Sequence, residues 1–423
     1  MEEYSKYKPS GIEWIGDIPY DWNIIRVKRV FKNAKTLVGN NVDKYERLAL
    51  TKNGVIKRSK EDAKGLQPTQ FEGYQILKEN ELIFRLIDLK NVKTDRVGLS
   101  AYTGIVSPAY TILNNRMADN RFYYYYFMVM DYNKIFNNLG GEGVRRSLNG
   151  KDLLKMPIIL ISEEKQTEIA DFLDKKTLQI DALILYKEKL IKLLREYRQS
   201  IISETVTKGL DKKVQMKLSG IEWIGDIPQN FKIKRMKYVA QLDKENLTEK
   251  TEPNYKFEYI DIASVSNGRI DKTREMIFKE SPSRARMVVK KGDIIVSTVR
   301  TYLRAIAYIE KHDKYICSTG FCVLTPKDID SKYLYFYCMS EFFVQEINRN
   351  SVGISYPAIN SYDIGIMYII IPTLEKQKEI ANLLDDKTEK IDNLIENITK
   401  QTKKLQEYRK SIIGEAVTGK AAI

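Results

Sequence analysis

Two stretches of the chain place apolar side chains at alternating intervals of four and three residues. A spacing of 3.5 residues sustained over about five heptads predicts helices that pack as a coiled coil. The apolar positions of the first stretch are Ile169, Leu173, Ile180, Leu183, Leu190, Leu194, Tyr197 and Ile201. Those of the second stretch are Ile380, Leu384, Ile391, Leu394, Ile398, Leu405, Tyr408 and Ile412. Each helix would be ~65 Å long.

The residues at the ends of both stretches indicate where these helices begin and end. Candidate N-caps and terminating glycines are Ser162, Gly209, Thr373 and Gly419. Each helix needs a partner for its long apolar face, and the other helix carries the same pattern. We therefore predict a mutual antiparallel pair. The alternative is that each helix packs flat on its own globular lobe.

The chain contains an internal repeat. Residues 10–19 and 219–228 both read SGIEWIGDIP, at an offset of 209. From 164 to 207 and from 375 to 418, at an offset of 211, 26 of 44 paired positions are identical. Two copies are too few for a solenoid, which needs three or more units. The sequence therefore predicts two similar lobes related by a pseudo-twofold axis.

Between these anchors the two copies share an apolar pattern while their polar residues differ. The segment SPAYTIL at 107–113 corresponds to STGFCVL at 318–324. Such a pattern is typical of one scaffold that presents two different surfaces. The runs that predict strands are Glu81–Leu86, Gly104–Leu113, Asp293–Val299 and Tyr315–Leu324. The aromatic stretches at 122–127 and 333–337 are predicted to begin helices in the lobe cores.

These patterns predict the fold class and the domain division. We expect two α/β (α+β) lobes separated by two long antiparallel coiled-coil helices. The predicted divisions are a first lobe at 1–161, a helix at 162–208, a second lobe at 209–372 and a helix at 373–423.

The repeated decapeptide places Trp14 and Trp223 among isoleucines, before an Asp-Ile-Pro that ends regular structure. One interpretation is a binding site for a protein partner. The interpretation we favour is an aromatic anchor that ties each lobe to the long helices, because burial of an indole is strongly stabilising.

Composition limits the class of protein. Of 423 residues, 43% are hydrophobic, which argues against disorder over the whole length. The longest apolar run, Phe122 to Met130, is half of the ~18 residues that a membrane span needs. The N-terminus lacks the apolar segment of a secretory signal. Three cysteines do not form a disulfide framework, so a cytoplasmic location is expected.

The charge is uneven along the chain. The formal net charge is +14, of which +8 falls in residues 1–161 and +5 in residues 209–372, while both long helices are neutral. A basic surplus confined to the lobes predicts a polyanionic partner there and disfavours a coiled-coil scaffold without a DNA role. Arginines in loops can read guanine and neutralise phosphates. The candidate DNA contacts are Arg85, Lys90, Lys93, Arg96, Arg145, Arg146, Arg284, Arg286, Lys290, Lys291, Arg300 and Arg304.

Catalytic motifs are scarce. His312 is the single histidine, which argues against a histidine-dependent triad or a histidine-rich metal site. The three cysteines, Cys317, Cys322 and Cys338, lack CxxC spacing and are expected to be buried. No phosphate loop, GxGxxG motif or Asn-Pro-Pro-aromatic tetrapeptide occurs. A metal-dependent nuclease stays open as the less favoured alternative.

The order of these elements resembles a known family. GIEWIGDIP opens each half, a variable lobe follows, and then come EKQxEIAxxLDxKTxxID and EYRxSII. This arrangement resembles the specificity subunit of type I restriction–modification systems along the whole chain. The resemblance implies two target-recognition domains, each reading half of a split DNA site, and conserved helices that fix the gap between the half-sites.

The resemblance also implies partners and cofactors. Two modification subunits would methylate adenine with S-adenosylmethionine, and two restriction subunits would use ATP and Mg²⁺. This chain would then be a non-catalytic subunit that binds double-stranded DNA, with no cofactor of its own and no contact with a membrane. A stand-alone sequence-specific DNA-binding regulator is the alternative from another class.

Overall fold

The computed structural model describes residues 6–61, 70–87, 89, 95–115, 118–139, 147–266, 268–310 and 314–421. The chain forms two compact units, one from Met1–Lys187 with Lys400–Ile423 and the other from Glu188–Thr399. We call them unit 1 and unit 2. The elements that precede the first long helix form the first lobe, and those between the long helices form the second lobe.

The first lobe consists of short strands followed by short helices. Its strands are β1 (Tyr7–Pro9), β2 (Asp17–Pro19), β3 (Asn23–Arg26), β4 (Lys32–Asn33), β5 (Arg47–Thr51), β6 (Gly54–Arg58), β7 (Gln75–Leu77), β8 (Leu82–Phe84), β9 (Val97–Leu99), β10 (Gly104–Val106), β11 (Thr111–Asn114) and β12 (Pro157–Leu160). Its helices are α1 (Asn120–Tyr132), α2 (Ile135–Leu139) and α3 (Gly150–Lys155), after which the long helix α4 (Glu163–Lys208) begins.

The second lobe has the same order of elements with one added hairpin. Its strands are β13 (Met216–Leu218), β14 (Asp226–Pro228), β15 (Lys232–Arg235), β16 (Ala240–Leu242), β17 (Lys256–Ile260), β18 (Val265–Ser266), β19 (Arg269–Ile270), β20 (Arg274–Ile277), β21 (Ala285–Val289), β22 (Ile294–Ser297), β23 (Ile306–Tyr308), β24 (Tyr315–Ser318), β25 (Phe321–Pro326) and β26 (Tyr368–Ile371). Its helices are α5 (Ser331–Met339), α6 (Glu341–Asn350) and α7 (Ser361–Ile366), and the long helix α8 (Leu374–Thr418) follows.

The two lobes share one sheet topology. The first has four-stranded sheets in the orders β6-β5-β10-β7 and β4-β11-β8-β9, and the second has β20-β17-β24-β21 and β16-β25-β22-β23. A parallel pair of strands lies at the equivalent place in each lobe, β5 with β10 and β17 with β24. A ladder at the end of each lobe pairs β3 with β12 and β15 with β26. The predicted fold class, with two α+β lobes and two long helices, is confirmed.

Two of the predicted strands are each divided between two sheets. The run Gly104–Leu113 forms β10 in one sheet and β11 in the other, with a turn between them. Tyr315–Leu324 is divided in the same way into β24 and the start of β25. Both segments of such a run are apolar because both are buried, so the hydrophobic pattern alone does not reveal the break.

The aromatic stretches begin helices, as predicted, and fill the core of each lobe. Phe122, Tyr126 and Phe127 of α1 are fully buried together with Ile413 and Val417 near the end of α8. In unit 2 the aromatic residues of α5 share a core with the end of α4 and the start of α8. Each lobe is therefore held to the long helices by a continuous apolar core.

Each long helix ends at the predicted glycine. Gly209 and Gly419 both have φ +73°, a left-handed conformation that glycine adopts without strain. A Cβ on Gly419 would collide with Pro19 and Trp22, and one on Gly209 would lie 3.0 Å from the ring of Phe231. In each unit the segment that follows the repeated decapeptide therefore packs closely on the end of a long helix.

In unit 1 the tryptophan of the decapeptide packs on the lobe helix α1. The partly buried indole of Trp14 lies 5.5 Å from the ring of Tyr126, measured between centroids. Trp223 is more open, at 37% exposed, and the Arg349 guanidinium lies 5.5 Å from its ring centroid. The fully buried indole of the first lobe is Trp22, just after the repeat.

The buried face of each long helix differs in register from the predicted one. Leu183, Tyr197, Leu394 and Tyr408 are between 43% and 55% exposed. The buried or partly buried positions are instead the next residues along each helix: Thr177, Ile184, Ile191 and Arg198 on α4, and Thr388, Ile395, Thr402 and Arg409 on α8. The other predicted positions, Ile169, Leu173, Ile180, Leu190, Leu194, Ile201, Ile380, Leu384, Ile391, Ile398, Leu405 and Ile412, are buried or partly buried.

The displacement has a geometric cause. A straight α-helix has 3.6 residues per turn and drifts by about 20° per heptad from a strict 3.5-residue repeat. Where α4 packs on the first lobe, buried residues follow one another in steps of four, at 169, 173 and 177. The alternation of three and four resumes only after 177, one residue later than predicted. The second copy repeats this shift at 380, 384 and 388.

The two long helices run antiparallel where they pair, and a repeated ion pair joins them. In unit 1 the Arg409 Nε lies 2.8 Å from the Asp181 carboxylate, and the Lys187 ammonium donates to Gln401 at 2.7 Å. In unit 2 the Arg198 Nε lies 3.0 Å from Asp392. Arg198 and Asp392 correspond to Arg409 and Asp181 at the repeat offset of 211. The sequence repeat is therefore also a repeat of contacts.

Candidate nucleic-acid interface

Two loops of the second lobe meet at one place. Residues 298–305 join β22 to β23, and residues 351–360 join α6 to α7. The backbone N–H of Ile359 donates to the Thr298 carbonyl at 2.8 Å and links them. We call these two segments the paired loops of the second lobe.

The paired loops carry two of the predicted DNA contacts. The backbone N–H of Arg300 donates to the Pro357 carbonyl at 2.8 Å, and the Arg300 guanidinium lies 4.8 Å from the centroid of the Tyr356 ring. Arg304 forms two hydrogen bonds to the Glu341 carboxylate, at 2.7 and 2.9 Å. The charge of Arg304 is therefore neutralised within the lobe, whereas that of Arg300 faces an aromatic ring.

The paired loops also expose large apolar side chains. Their exposed fractions are 55% for Tyr302, 49% for Leu303, 80% for Val352, 103% for Ile354 and 65% for Tyr356. Sequence reasoning missed these residues because it searched the loops for cations only. Contiguous exposed apolar surface of this kind marks binding sites more often than single exposed residues do.

The other predicted contacts of the second lobe are Arg284, Arg286, Lys290 and Lys291. The Lys290 ammonium lies 2.5 Å from the Glu245 carboxylate in an exposed ion pair. The Arg286 guanidinium lies 4.8 Å from the centroid of the Phe278 ring. The remaining two side chains are exposed at the surface of the lobe.

The first lobe has the equivalent pair of loops, 85–96 between β8 and β9 and 140–149 between α2 and α3. The backbone N–H of Leu148 donates to the Leu86 carbonyl at 2.8 Å, the counterpart of the bond between Ile359 and Thr298. Four predicted contacts fall on these loops but lie outside the described residues: Lys90, Lys93, Arg145 and Arg146. Both copies thus join the same two connections at the same point.

Arg96 requires a correction. Its side chain is 4% exposed, its Nε lies 3.2 Å from the Asp131 carboxylate, and its guanidinium also donates to the Leu89 carbonyl. Such a group is enclosed in the lobe and does not face DNA. Arg85 is partly buried, and its backbone N–H donates to the Arg96 carbonyl at 2.8 Å.

A buried glutamine attaches each lobe to the start of its long helix. The Gln166 amide donates to the Ile161 carbonyl at 2.9 Å and accepts from the Asp119 N–H at 3.0 Å. Gln377 makes the two equivalent bonds in unit 2, at 2.9 and 2.8 Å. Both are the glutamine of the repeated EKQ sequence. Its repetition in both copies is the feature of the sequence that could have predicted this attachment.

An ion cluster strengthens the same attachment. Arg121, on α1, lies 2.6 Å from the Asp171 carboxylate and 3.0 Å from that of Asp174, both on α4. In unit 2 Lys332, on α5, pairs with Asp385 on α8. The lobe helix and the long helix are therefore bonded at equivalent positions in both copies.

Glu346, on α6, is a buried carboxyl whose charge varies near neutral pH. Its side chain is 9% exposed, and burial raises its pKa to about 7, against the lowering effect of the Tyr368 backbone and of Arg235 and Arg349. The folded state therefore binds more protons than the unfolded state between pH 4.5 and about 7. The stability of unit 2 should fall as the pH rises through this range.

We predict that Glu346→Gln raises the free energy of unfolding of unit 2 at pH 8, by at most ~3 kcal/mol, and changes it little at pH 4.5. Urea unfolding at both pH values measures this. Glu341→Gln is the matched control on the same helix, because the Arg304 ion pair lowers the pKa of Glu341 and its removal should destabilise at pH 8. Equal effects of Glu346→Gln at both pH values would contradict the prediction.

Metal ligands and reactive thiols are the other kinds of site that the described residues could hold. Among those residues, no group of three or more His, Cys, Asp or Glu side chains is arranged to hold a metal ion. Cys317, Cys322 and Cys338 are free thiols and fully buried, and burial raises the pKa of each. Within the described residues, every helix is too short or too polar to span a bilayer.

Comparison with known proteins gives a consistent result. Residues 228–406 match the family model of the type I restriction modification DNA specificity domain. The MjaVIII type I restriction enzyme specificity subunit of Methanocaldococcus jannaschii is 24% identical over 424 residues, covering 96% of this chain and 94% of that protein. The EcoKI specificity subunit of Escherichia coli K12 is 26% identical over 161 residues, 37% of this chain and 35% of that protein.

Solved structures share the fold. A chain from a structural study of complex assembly and conformational transition of the type I R-M system superposes with a TM-score of 0.69 at 14% identity, covering 95% of this chain and 98% of that chain. The HsdS subunit of Thermoanaerobacter tengcongensis gives 0.52 at 15% identity, with coverages of 96% and 98%.

These matches define the class of protein: the chain carries the DNA specificity domain of type I restriction–modification systems. More particularly, a relative that matches nearly the whole chain is a specificity subunit of such a system. The resemblance given by the repeated sequences is confirmed.

Proposed function

We propose that this subunit reads a bipartite, asymmetric DNA sequence, with one half-site for each lobe. The observation that carries the proposal is the repeated joint between two loops, at Leu148 and at Ile359, in lobes of equal topology. The loops joined there differ in sequence between the copies. Equal scaffolds with different loops suit two half-sites that differ in their bases.

The recognition domains would be the lobes at 1–161 and 209–372, and the conserved spacers the helices at 162–208 and 373–423. DNA contacts would come from the basic residues other than the enclosed Arg96: Arg85, Lys90, Lys93, Arg145, Arg146, Arg284, Arg286, Lys290, Lys291, Arg300 and Arg304. Cations on both lobes would bind phosphates and make the affinity depend on salt. Arg96 is left out because it is enclosed in the lobe and paired with Asp131.

The subunit would direct chemistry performed by its partners in the cytoplasm. Two modification subunits would methylate adenine with S-adenosylmethionine, and two restriction subunits would use ATP and Mg²⁺. We place the modification subunits on the long helices and on the segments around Trp14 and Trp223. These parts are repeated in sequence and contacts, and two identical partners need two matching surfaces.

Methylome sequencing of a host that expresses this chain with its modification subunit tests the proposal. The expected result is an asymmetric motif of two short blocks separated by a fixed gap, with a methylated adenine in each block. A host with the modification subunit alone is the control and should show no such motif. Tight, specific binding by the purified chain without partners would favour a stand-alone regulator, and cleavage of plasmid by the chain with Mg²⁺ would favour a nuclease.

A further inference from the structure

The paired loops of the second lobe hold an apolar surface whose function the basic residues do not explain. Ile354 is fully exposed, and Val352 and Tyr356 are 80% and 65% exposed on the same loop. Tyr302 and Leu303 add to this surface from the other loop. Exposing large apolar side chains to water lowers solubility and stabilises nothing, so five of them on two joined loops indicate a binding surface.

The loops are held in a defined arrangement. The Thr301 hydroxyl lies 3.1 Å from the Ser351 hydroxyl, and the Arg300 guanidinium covers the Tyr356 ring. Arg300 and Arg304 both have φ +51° and Gly353 has φ +114°, three left-handed conformations within the same short surface. Backbone of this kind in a non-glycine residue costs free energy and is concentrated at binding sites. The side chains are therefore positioned before a ligand arrives.

The charge of this surface suits a polyanion. Residues 299–304 and 351–357 include two arginines and no carboxylate. Glu341 neutralises Arg304, so Arg300 carries the positive charge beside the apolar side chains. Apolar and aromatic residues next to arginine are the combination that contacts thymine methyl groups, base faces and phosphates together.

The sequence that forms this surface occurs in one copy of the repeat only, which argues against the modification subunits as its occupant. The corresponding segments of the first lobe read DLKNVK at 88–93 and GGEGVRR at 140–146, in place of VRTYLR and SVGISYP. Two identical partner subunits require matching surfaces in both copies. A ligand that differs between the two halves of the molecule is what the two half-sites of an asymmetric DNA target provide.

We propose that Ile354 and Tyr356 contact bases of the second half-site and determine its sequence, while Arg300 holds the Tyr356 ring and binds an adjacent phosphate. The proposal rests on the proposed function, and it adds the residues that read the bases. They are apolar and aromatic side chains of the α6–α7 loop, and lone basic residues have a supporting role.

The test uses the full chain in complex with its modification subunit and the bipartite motif found by methylome sequencing. The variants are Ile354→Ser and Tyr356→Ser. Binding is measured to the cognate duplex and to a duplex in which only the second half-site is scrambled. Tyr238→Ser is the matched control, because Tyr238 is 64% exposed in the same lobe but lies outside the paired loops.

Each loop variant should lose about tenfold or more in cognate affinity and keep its affinity for the scrambled duplex, because apolar base contacts do not involve phosphates. Tyr238→Ser should leave both affinities unchanged. Cognate binding within twofold of wild type by both loop variants would overturn the proposal. Loss of the modification subunit from the purified complex of either loop variant would also overturn the proposal, since the surface would then bind a protein. If the proposed function itself is wrong, the wild-type complex yields no bipartite motif in methylome sequencing. That result differs from the failure of the loop variants alone.

Discussion

Exchanging residues 27–155 for the corresponding segment of another specificity subunit should replace one half of the methylated motif and leave the other half and the methylation level intact. The first lobe carries its own sheets and cores, built from side chains such as Leu48, Ile83 and Ile112 between the two four-stranded sheets. The equivalent core of the second lobe is formed by other residues, including Ile295 and Val323. Each lobe should therefore read its half-site independently.

The boundaries of the exchange follow from the structure. β3 forms its ladder with β12, from Asn23 with Leu160 to Arg26 with Pro157. Starting the exchange at Val27 and ending it at Lys155 keeps both strands native and preserves their ladder next to α4. The methylome of a host that carries the hybrid and the original modification subunit is the measurement.

The reciprocal exchange is the control. Residues 236–366 lie between β15 and β26 in the second lobe, and replacing them should change the other half of the motif only. If either hybrid changes both halves, the lobes do not read independently and the bipartite proposal is wrong. A change in the gap between the halves would show that the lobes and not the helices set the spacing.

Arg96→Gln should destabilise unit 1 by at most ~3–5 kcal/mol, the cost of removing one partner from a fully buried ion pair, because the Asp131 side chain is 25% exposed. The guanidinium lies 3.2 Å from the Asp131 carboxylate, and burial already raises the pKa of that carboxyl against the lowering effect of Arg96. Glutamine is shorter and uncharged, so the carboxylate would lose its compensating charge. Urea unfolding at pH 7 measures the loss.

Two further variants make this prediction specific. Arg284→Gln removes an exposed cation of the second lobe and should change stability by less than ~0.5 kcal/mol while weakening DNA binding. Adding Asp131→Asn to Arg96→Gln should recover part of the lost stability, because no unpaired charge then stays buried. An Arg96→Gln protein that is as stable as wild type but defective in DNA binding would restore Arg96 as a DNA contact.

The sequence predicts the long helices closely because several independent signals agree at their ends. Ser162 precedes α4, Gly209 follows it, and the same holds for Thr373 and Gly419 at α8. Family membership could likewise be inferred from the repeated peptides alone, since these are specific in both residues and order. Such features are local, and a single sequence displays them directly.

The register of the helix pair could not be predicted in the same way. Leu183 and Leu190 are followed by Ile184 and Ile191, so hydrophobicity fits two registers, and the correct one also buries an arginine. Arg198 enters the buried face because Asp392 of the other helix pairs with it. A hydrophobic pattern along one helix contains no information about a carboxylate nearly two hundred residues away.

Which of the candidate DNA contacts are exposed could not be predicted from the sequence for the same reason. Arg96 and Arg300 are both arginines in loops of one topological position, yet one is enclosed by Asp131 and the other is exposed. Only the three-dimensional partners separate them. The exposed Ile354 was missed because, in a sequence, an isoleucine among small polar residues is more often part of a core.

The composition of unit 1 determines the order in which the protein can fold during synthesis. Its core includes Ile412, Ile413 and Val417, which leave the ribosome only after all of unit 2 has been made. Unit 2 is a single continuous segment and can complete its core as soon as residue 399 emerges. The half of the protein translated first should therefore be the last to reach its native state, and until then its exposed aromatic residues depend on chaperones for protection from aggregation.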